Sequence, residues 1–275
     1  MNENQVSNIE TPDEDTWLPG WDGALYAANT THHRAADAWF LETFPVRDGD
    51  RLLDIGCGAG DFTAIVAGLV PNGHVVGLDA QPTMVDEAKR RARPNQSFVL
   101  GKAQDLEHLF PMDAAFDLVY SRATLHWVPR PDHAVIYPQV HRLLRPQGWW
   151  RLEMGGAGNV PAVVALVNDV ADHHGGPHAP WNFLDAGSAF DLLESAGFAM
   201  NTGYVRTLPQ RRAFTRDELL GWFASQALRA WEPSMDTDSY EAFCDEVISR
   251  IDEVRRPDGT YDQTYVRLDA LVQRS

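Results

Sequence analysis

The run Arg51-Leu-Leu-Asp-Ile-Gly-Cys-Gly-Ala-Gly-Asp61 constrains this chain more than any other stretch. It reads as a short apolar strand, an acid near its carboxyl end, and a glycine turn opening a helix. Gly56, Gly58 and Gly60 let the backbone turn sharply and let a ligand approach closely. The residues after Asp61 can start a helix whose free amides face that ligand. Glycine turns of this kind occur in many strand-to-helix connections, so the downstream pattern decides what the turn is for.

Twenty-five positions after Asp54 comes Val75-Val-Gly-Leu-Asp79, a second apolar strand with an acid at its end. In doubly wound sheets, ligands bind outside the carboxyl ends of the strands, where an acid can take both hydroxyls of a ribose. Met84 falls in the first turn of the next helix, where a thioether can pack on a purine or simply fill the core.

Strands expected at 51–55, 74–79, 96–101, 116–121 and 148–154 alternate with helices near 61–69, 82–92, 104–109 and 132–144. Such alternation implies parallel pairing through right-handed crossovers. Pro71-Asn-Gly73 and Pro146-Gln-Gly148 carry turn chemistry leading into strands. Beyond Gly155, Val160, Val163, Val164, Val167 and Val170 recur at helical spacing. Helices are expected near 186–196, 215–229 and 238–254, with strands at 198–206 and 266–272.

The net charge of −16, with no Lys or Arg before Arg34, argues against a nucleic-acid or anionic-membrane partner, because those surfaces need clustered cations. Hydrophobic content of 44% supports a packed core. Cys57 and Cys244 fit neither a disulfide framework nor a zinc cluster, and the start of the chain has no basic, apolar leader. A cytoplasmic protein is the expectation. Residues 1–16 read as a disordered acidic tail, and residues 17–275 as one domain.

Four segments in order, Leu53-Asp-Ile-Gly-Cys-Gly-Ala-Gly60, Gly77-Leu-Asp79, Phe116-Asp-Leu-Val-Tyr-Ser121 and Leu143-Leu-Arg-Pro-Gln-Gly148, resemble the class I S-adenosylmethionine-dependent methyltransferases. A dehydrogenase fingerprint would place Gly or Ala where Asp61 stands. The resemblance implies an α/β, Rossmann-like, seven-stranded mostly parallel sheet, closed by an antiparallel last strand, with helices on both faces and a helical lid insertion. It implies a lid segment at 17–45, a cofactor core at 46–155, and a substrate lid with the closing strands at 156–275. S-adenosyl-L-methionine is the cofactor it implies.

On the matching positions, Gly56 and Gly58 would approach the methionine part, with Asp54 near its ammonium or an ordered water. Asp79 would hold the ribose, with Ala80 beside it and Ser121 at the end of the fourth strand. Ala103 and Gln104 would lie along the adenine. Lys102 departs from the pattern, since many relatives place an acid there and Lys cannot accept a hydrogen bond.

Trp21-Asp-Gly-Ala-Leu-Tyr26 and His32-His-Arg34 resemble the start of the trans-aconitate methyltransferase group, which makes Tyr26 and Arg34 candidates for the cofactor's sulfonium and carboxylate. Ser121-Arg-Ala-Thr-Leu-His126-Trp127 and Leu192-Leu-Glu-Ser-Ala-Gly-Phe198 extend the likeness. His126 can serve as a base for a hydroxyl or amine acceptor, or can bond within the wall while Trp127 packs. Trp127 and Trp181, with Trp222 and Trp231, suit a ring or an alkyl chain. Arg211 and Arg212 can clamp an anion or sit in solvent. His173, His174 and His178 lie among glycines and prolines, more a lid loop than a metal site.

A small-molecule methyltransferase is therefore expected, with O-methylation of a small carboxylic acid ahead of O-, N- or C-methylation of a specialised metabolite. A cofactor-binding partner without catalysis is the reading from another class. The sequence fixes no oligomeric state.

Overall fold

The computed structural model describes Trp21, residues 38–261 and residues 263–275. The expected strands pair into one seven-stranded sheet: β1 (Arg51–Ile55), β2 (His74–Asp79), β3 (Gln96–Leu100), β4 (Phe116–Arg122), β5 (Leu144–Gly155), β6 (Phe198–Arg212) and β7 (Gln263–Arg274). Their order is β3-β2-β1-β4-β5-β7-β6. The first five run parallel, and β7 is antiparallel to both β5 and β6. Strand order reverses between β1 and β4, which opens a crevice at their carboxyl ends.

Both faces of the sheet are covered. Leu53 and Ile55 of β1 join one apolar cluster with Val76, Leu78 and Val119, while Leu52 joins another with Phe40, Val66 and Tyr120. Alternate side chains of one strand therefore enter two cores, as expected for parallel strands covered on both sides. The covering helices are α1 (Asp61–Ala67), α2 (Pro82–Arg90), α3 (Leu106–Leu109), α4 (His133–Leu143) and α6 (Ala186–Ser195).

A third cluster belongs to α5 (Pro161–His173), α7 (Arg216–Trp222), α8 (Thr237–Ser249) and the turns between them. Val163, Val167 and Val170 pack there with Phe223, Trp231, Phe243 and Val247. The helix expected over 215–229 is interrupted: α7 gives way to a π-helical turn at Phe223–Ala227, then a 3-10 stretch at Leu228–Ser234. Ser225 Oγ donates to the Gly221 carbonyl at 2.6 Å, a back-bond that competes with the regular ladder.

Pro146-Gln-Gly148, expected as a turn before β5, lies within it as a bulge. Leu144 pairs with Phe116, the next pair is Trp149 with Leu118, and Gln147 takes φ 63°. Among the described residues no helix is long and apolar enough to cross a membrane. The expected tail at 1–16 lies outside the described residues.

Candidate functional site

The glycine turn is tied to the end of β2. Gly56 and Cys57 both donate their amides to the Leu78 carbonyl, at 2.7 and 3.0 Å. Gly58 then donates to Asp79 Oδ2, and Gln81 to Asp79 Oδ1, each at 2.9 Å. Each carboxylate oxygen keeps a lone pair, and Asp79 stands in the wall of a cavity of about 120 Å³. Burial pushes the Asp79 carboxyl up, against the amides of Gln81, Gly58 and Ala80. Gly56 has φ 80°, and a Cβ there would overlap the Thr124 side chain, whose hydroxyl donates back to the Gly56 carbonyl. The turn needs glycine for that internal approach as well as for a ligand.

Gly56, Gly58, Asp79, Ala80, Ala103 and Gln104 all line this cavity, as do Gly101, Lys102 and Val128. Gln104 Nε2 donates to Asp132 at 2.9 Å, which leaves its carbonyl oxygen as an acceptor. A carboxylate for a vicinal diol, apolar walls for a ring and a glycine-lined turn are what S-adenosylmethionine requires. The residues present fit it.

Three expected contacts lie behind that wall. The Asp54 carboxylate is 3% exposed and accepts from Thr63 Oγ1 at 2.7 Å, and burial pushes it up to about 7. Strand alternation turns it toward α1, on the face that Leu52 also uses. Met84 is buried in the core below α2, one residue before the equally buried Val85. Ser121 donates to the Ile55 carbonyl at 2.9 Å, closing the seam between β4 and β1. Tyr26 and Arg34 lie outside the described residues.

A second cavity, of about 530 Å³, adjoins the first; Trp21, Arg122, Ala123 and Trp127 line both. Trp21 meets Trp127 edge to face at 5.0 Å, and its carbonyl accepts from Thr83 Oγ1. Ala123 sits at this junction with φ 52°, a conformation costly for a residue with a Cβ, and its amide donates to the Glu153 carbonyl at 2.8 Å. The larger cavity is walled by His126, Trp181, Phe183, Trp222 and Tyr265, and by four guanidinium groups, Arg122, Arg211, Arg212 and Arg267. Trp231 is fully buried, its indole N–H donating to the Pro177 carbonyl at 2.7 Å, so it belongs to the third core and not to this wall.

Glu153 is the carboxylate of that wall, and it is ion-paired with Arg267. Burial opposes its ionisation, but Arg267, with Arg122 and Arg151, outweighs this and holds it below the usual carboxylate range. Arg212 lies over the Phe214 and Tyr265 rings at 5.1 and 5.9 Å and makes no ion pair among the described residues. Burial lowers its affinity for the proton. Arg122, Glu153, Tyr265 and Arg267 were not singled out from the sequence. Arg267 carries a signal, since it alternates with apolar residues along β7, but that polar face turns into the molecule instead of toward solvent.

His126 is 8% exposed, and its Nδ1 accepts from the Gly155 amide at 3.2 Å. Burial, then Arg267 and His133, hold its pKa well below the usual imidazole value. His173 and His174 both reach Glu246 at 2.9 Å, and His178 reaches Asp172 at 3.0 Å. Among the described residues no group of histidines, cysteines and carboxylates could hold a metal ion.

A family model described as a methyltransferase domain matches residues 52–148. Trans-aconitate 2-methyltransferase of Escherichia coli O157:H7 is 28% identical over 230 residues, covering 82% of this chain and 86% of its own. The enzyme of the same name from Methylobacterium radiotolerans is 28% identical over 268 residues, covering 94% and 100%. Phosphoethanolamine N-methyltransferase 2 of Haemonchus contortus, solved with phosphomonomethylethanolamine and S-adenosylhomocysteine, superposes with a TM-score of 0.58 at 16% identity. It covers 92% of this chain and 56% of its own.

Proposed function

We propose that this chain, a class I S-adenosylmethionine-dependent methyltransferase, methylates a carboxylate oxygen of a small organic acid carrying more than one negative charge. The cofactor, when bound, would supply a methyl group on a sulfonium, whose leaving group is a neutral thioether. The protein's own work is to bind, orient and exclude water. Asp79 would take the ribose hydroxyls, Ala80, Ala103 and Val128 would pack on the ring, and Gln104 would offer its carbonyl oxygen. Arg212, with Arg211 and Arg267, holds the acid in the larger cavity, and Trp127, Trp181 and Trp222 pack on its carbon frame. Arg122 and Ala123 stand between the two ligands.

The observation that carries this reading is the convergence of cations on a cavity whose carboxylate and phenol take up no proton. In a chain of net charge −16, four guanidinium groups converge on one cavity. Among the described residues, Glu153 is held by Arg267 and the Tyr265 hydroxyl is pushed up by burial, so neither takes a proton near neutrality. An amine or alcohol would need a base, whereas a carboxylate arrives ionised, since its ordinary pKa is about 4. The trans-aconitate 2-methyltransferases, named for a tricarboxylate, support the same class of acceptor.

Residues 17–275 are read as one domain, because both cavities draw on the sheet and on the segments around it. The free cysteines Cys57 and Cys244 suit a reducing cytoplasm.

The test is a comparison of kcat/KM for small di- and tricarboxylic acids against their neutral amides and against amine and hydroxyl acceptors. Free acids should be turned over and neutral analogues not. Arg212→Gln should raise the KM for the acid about tenfold to a hundredfold, the worth of a charge-assisted hydrogen bond. Preference for an amine or alcohol, with acids inert, would overturn the assignment.

A further inference from the structure

We infer that His126 is the hydrogen-bond donor that orients the acceptor carboxylate, presenting Nε2–H to one of its oxygens while the other faces the cofactor, and that it does not act as a base. The inference rests on the carboxylate reading above and assigns a residue within it. It begins with the end of β4. That strand pairs with β5 as far as Arg122 opposite Glu153. Two residues further along β5, Gly155 has no β4 partner, and His126 Nδ1 accepts its amide instead, at 3.2 Å.

An imidazole nitrogen that accepts cannot carry the proton, so the neutral ring holds it on Nε2. Turning the ring over would set a carbon against the Gly155 amide and leave a buried donor unsatisfied, which costs about 1–3 kcal/mol. Among the described residues Nε2 itself has no partner, and it is not sealed off. The ring's 8% exposure opens onto the larger cavity.

The ring is also fixed in place. His133 Nε2 meets the carbonyls of Leu125 and Val128 at 3.0 and 3.3 Å, stapling the short turn that carries His126. The His126 carbonyl accepts from the Asn182 amide at 2.7 Å. Around it stand Arg267 of β7, Glu153 of β5, Arg122 at the end of β4 and His133 of α4. The first of these and the last disfavour a second proton, so the donor stays neutral and single. A base would need the opposite state, a free lone pair facing the acceptor.

The test combines two variants with nitrogen-15 spectra of labelled histidine, on the full chain with S-adenosylhomocysteine. His126→Gln keeps an N–H donor at similar reach, and His126→Phe keeps the ring and removes it. With a small tricarboxylate as acceptor, Gln should retain kcat within about fivefold and Phe should lose about tenfold to a hundredfold. Cofactor affinity should be unchanged in both. The spectra should show Nε2–H from pH 5.5 to 8, with that resonance moving when the acid is added.

An Nδ1–H tautomer, a titration between pH 6 and 7, or a His126→Phe enzyme as fast as the parent would each overturn the inference. A base would show itself as an acidic limb of kcat/KM that vanishes in His126→Gln. If the parent enzyme turns over only neutral acceptors, the carboxylate reading itself falls, and the spectra still decide which ring nitrogen carries the proton.

Discussion

At the scale of single residues, the lining of the smaller cavity was legible where geometry leaves little choice. A left-handed turn wants glycine, and an acid at the end of β2 has few places to point. Asp79→Ala removes the acceptor for a diol and also unpairs the amides of Gly58 and Gln81. Calorimetric titration of S-adenosylhomocysteine should show affinity weakened by a factor of about ten to a hundred. Gly56→Ala should lower stability by more than the roughly 1–2 kcal/mol of left-handed backbone strain, since the new Cβ also meets Thr124. Thermal unfolding of Gly56→Ala, with and without Thr124→Ser, measures it. Asp54 was read as a ligand contact because spacing shows proximity to the turn and not which way a strand side chain faces. Its folded pKa of about 7 stands above the ordinary carboxylate value, so the folded state holds the proton more tightly. That stability is complete below about pH 4 and is lost as pH rises through 7, by up to about 4 kcal/mol. Asp54→Asn should therefore raise the Tm at pH 8 and leave it nearly unchanged at pH 4. Identical pH dependence in parent and variant would show that Asp54 holds its proton no more tightly in the folded state than in the unfolded one.

At the scale of elements, boundaries followed caps and turns, while departures came from packing. The start of α7 is set by a capping box, Thr215 with Glu218, three residues after Arg212. Thr215→Ala should cost about 1 kcal/mol of stability and loosen the Arg212 side of the larger cavity. A raised KM for the acid with unchanged cofactor affinity is the expected kinetic result. The π-helical turn after Trp222 has no period of its own in the sequence, because it arises where Phe223, Ala227, Leu228 and Trp231 must enter one core. Strand β7 formed where its alternation placed it, but the alternation left the setting of its polar face open. Its alternation of Arg267 and Asp269 with apolar neighbours looks like a solvent face. Yet Asp269 is fully buried between Arg151 and Arg206, and Arg267 is bound to Glu153. Arg151 is itself fully buried, lying over the Phe40 ring at 4.2 Å. An internal layer of paired charges and an exposed polar face give the same pattern along one strand, and only the covering segment tells them apart.

At the scale of the whole molecule, strand order was legible because alternating strands and helices admit few right-handed windings, and the reversal at β1 and β4 places the ligand crevice. The larger cavity was not legible. It takes Arg122 from β4, Glu153 from β5, Arg211 and Arg212 from β6 and Arg267 from β7, and nothing local joins positions so far apart. Net charge argued against nucleic-acid and anionic-membrane partners and said nothing of a small substrate, for which a few enclosed cations can outweigh a distant negative shell. The most direct measurement is a crystal structure of the enzyme with S-adenosylhomocysteine and a small tricarboxylate. The expected result has the ribose hydroxyls on Asp79, the sulfur facing the Arg122–Ala123 junction, and the acid among Arg212, Arg267 and His126. A cofactor seated away from Asp79, or an acid bound outside the larger cavity, would contradict it.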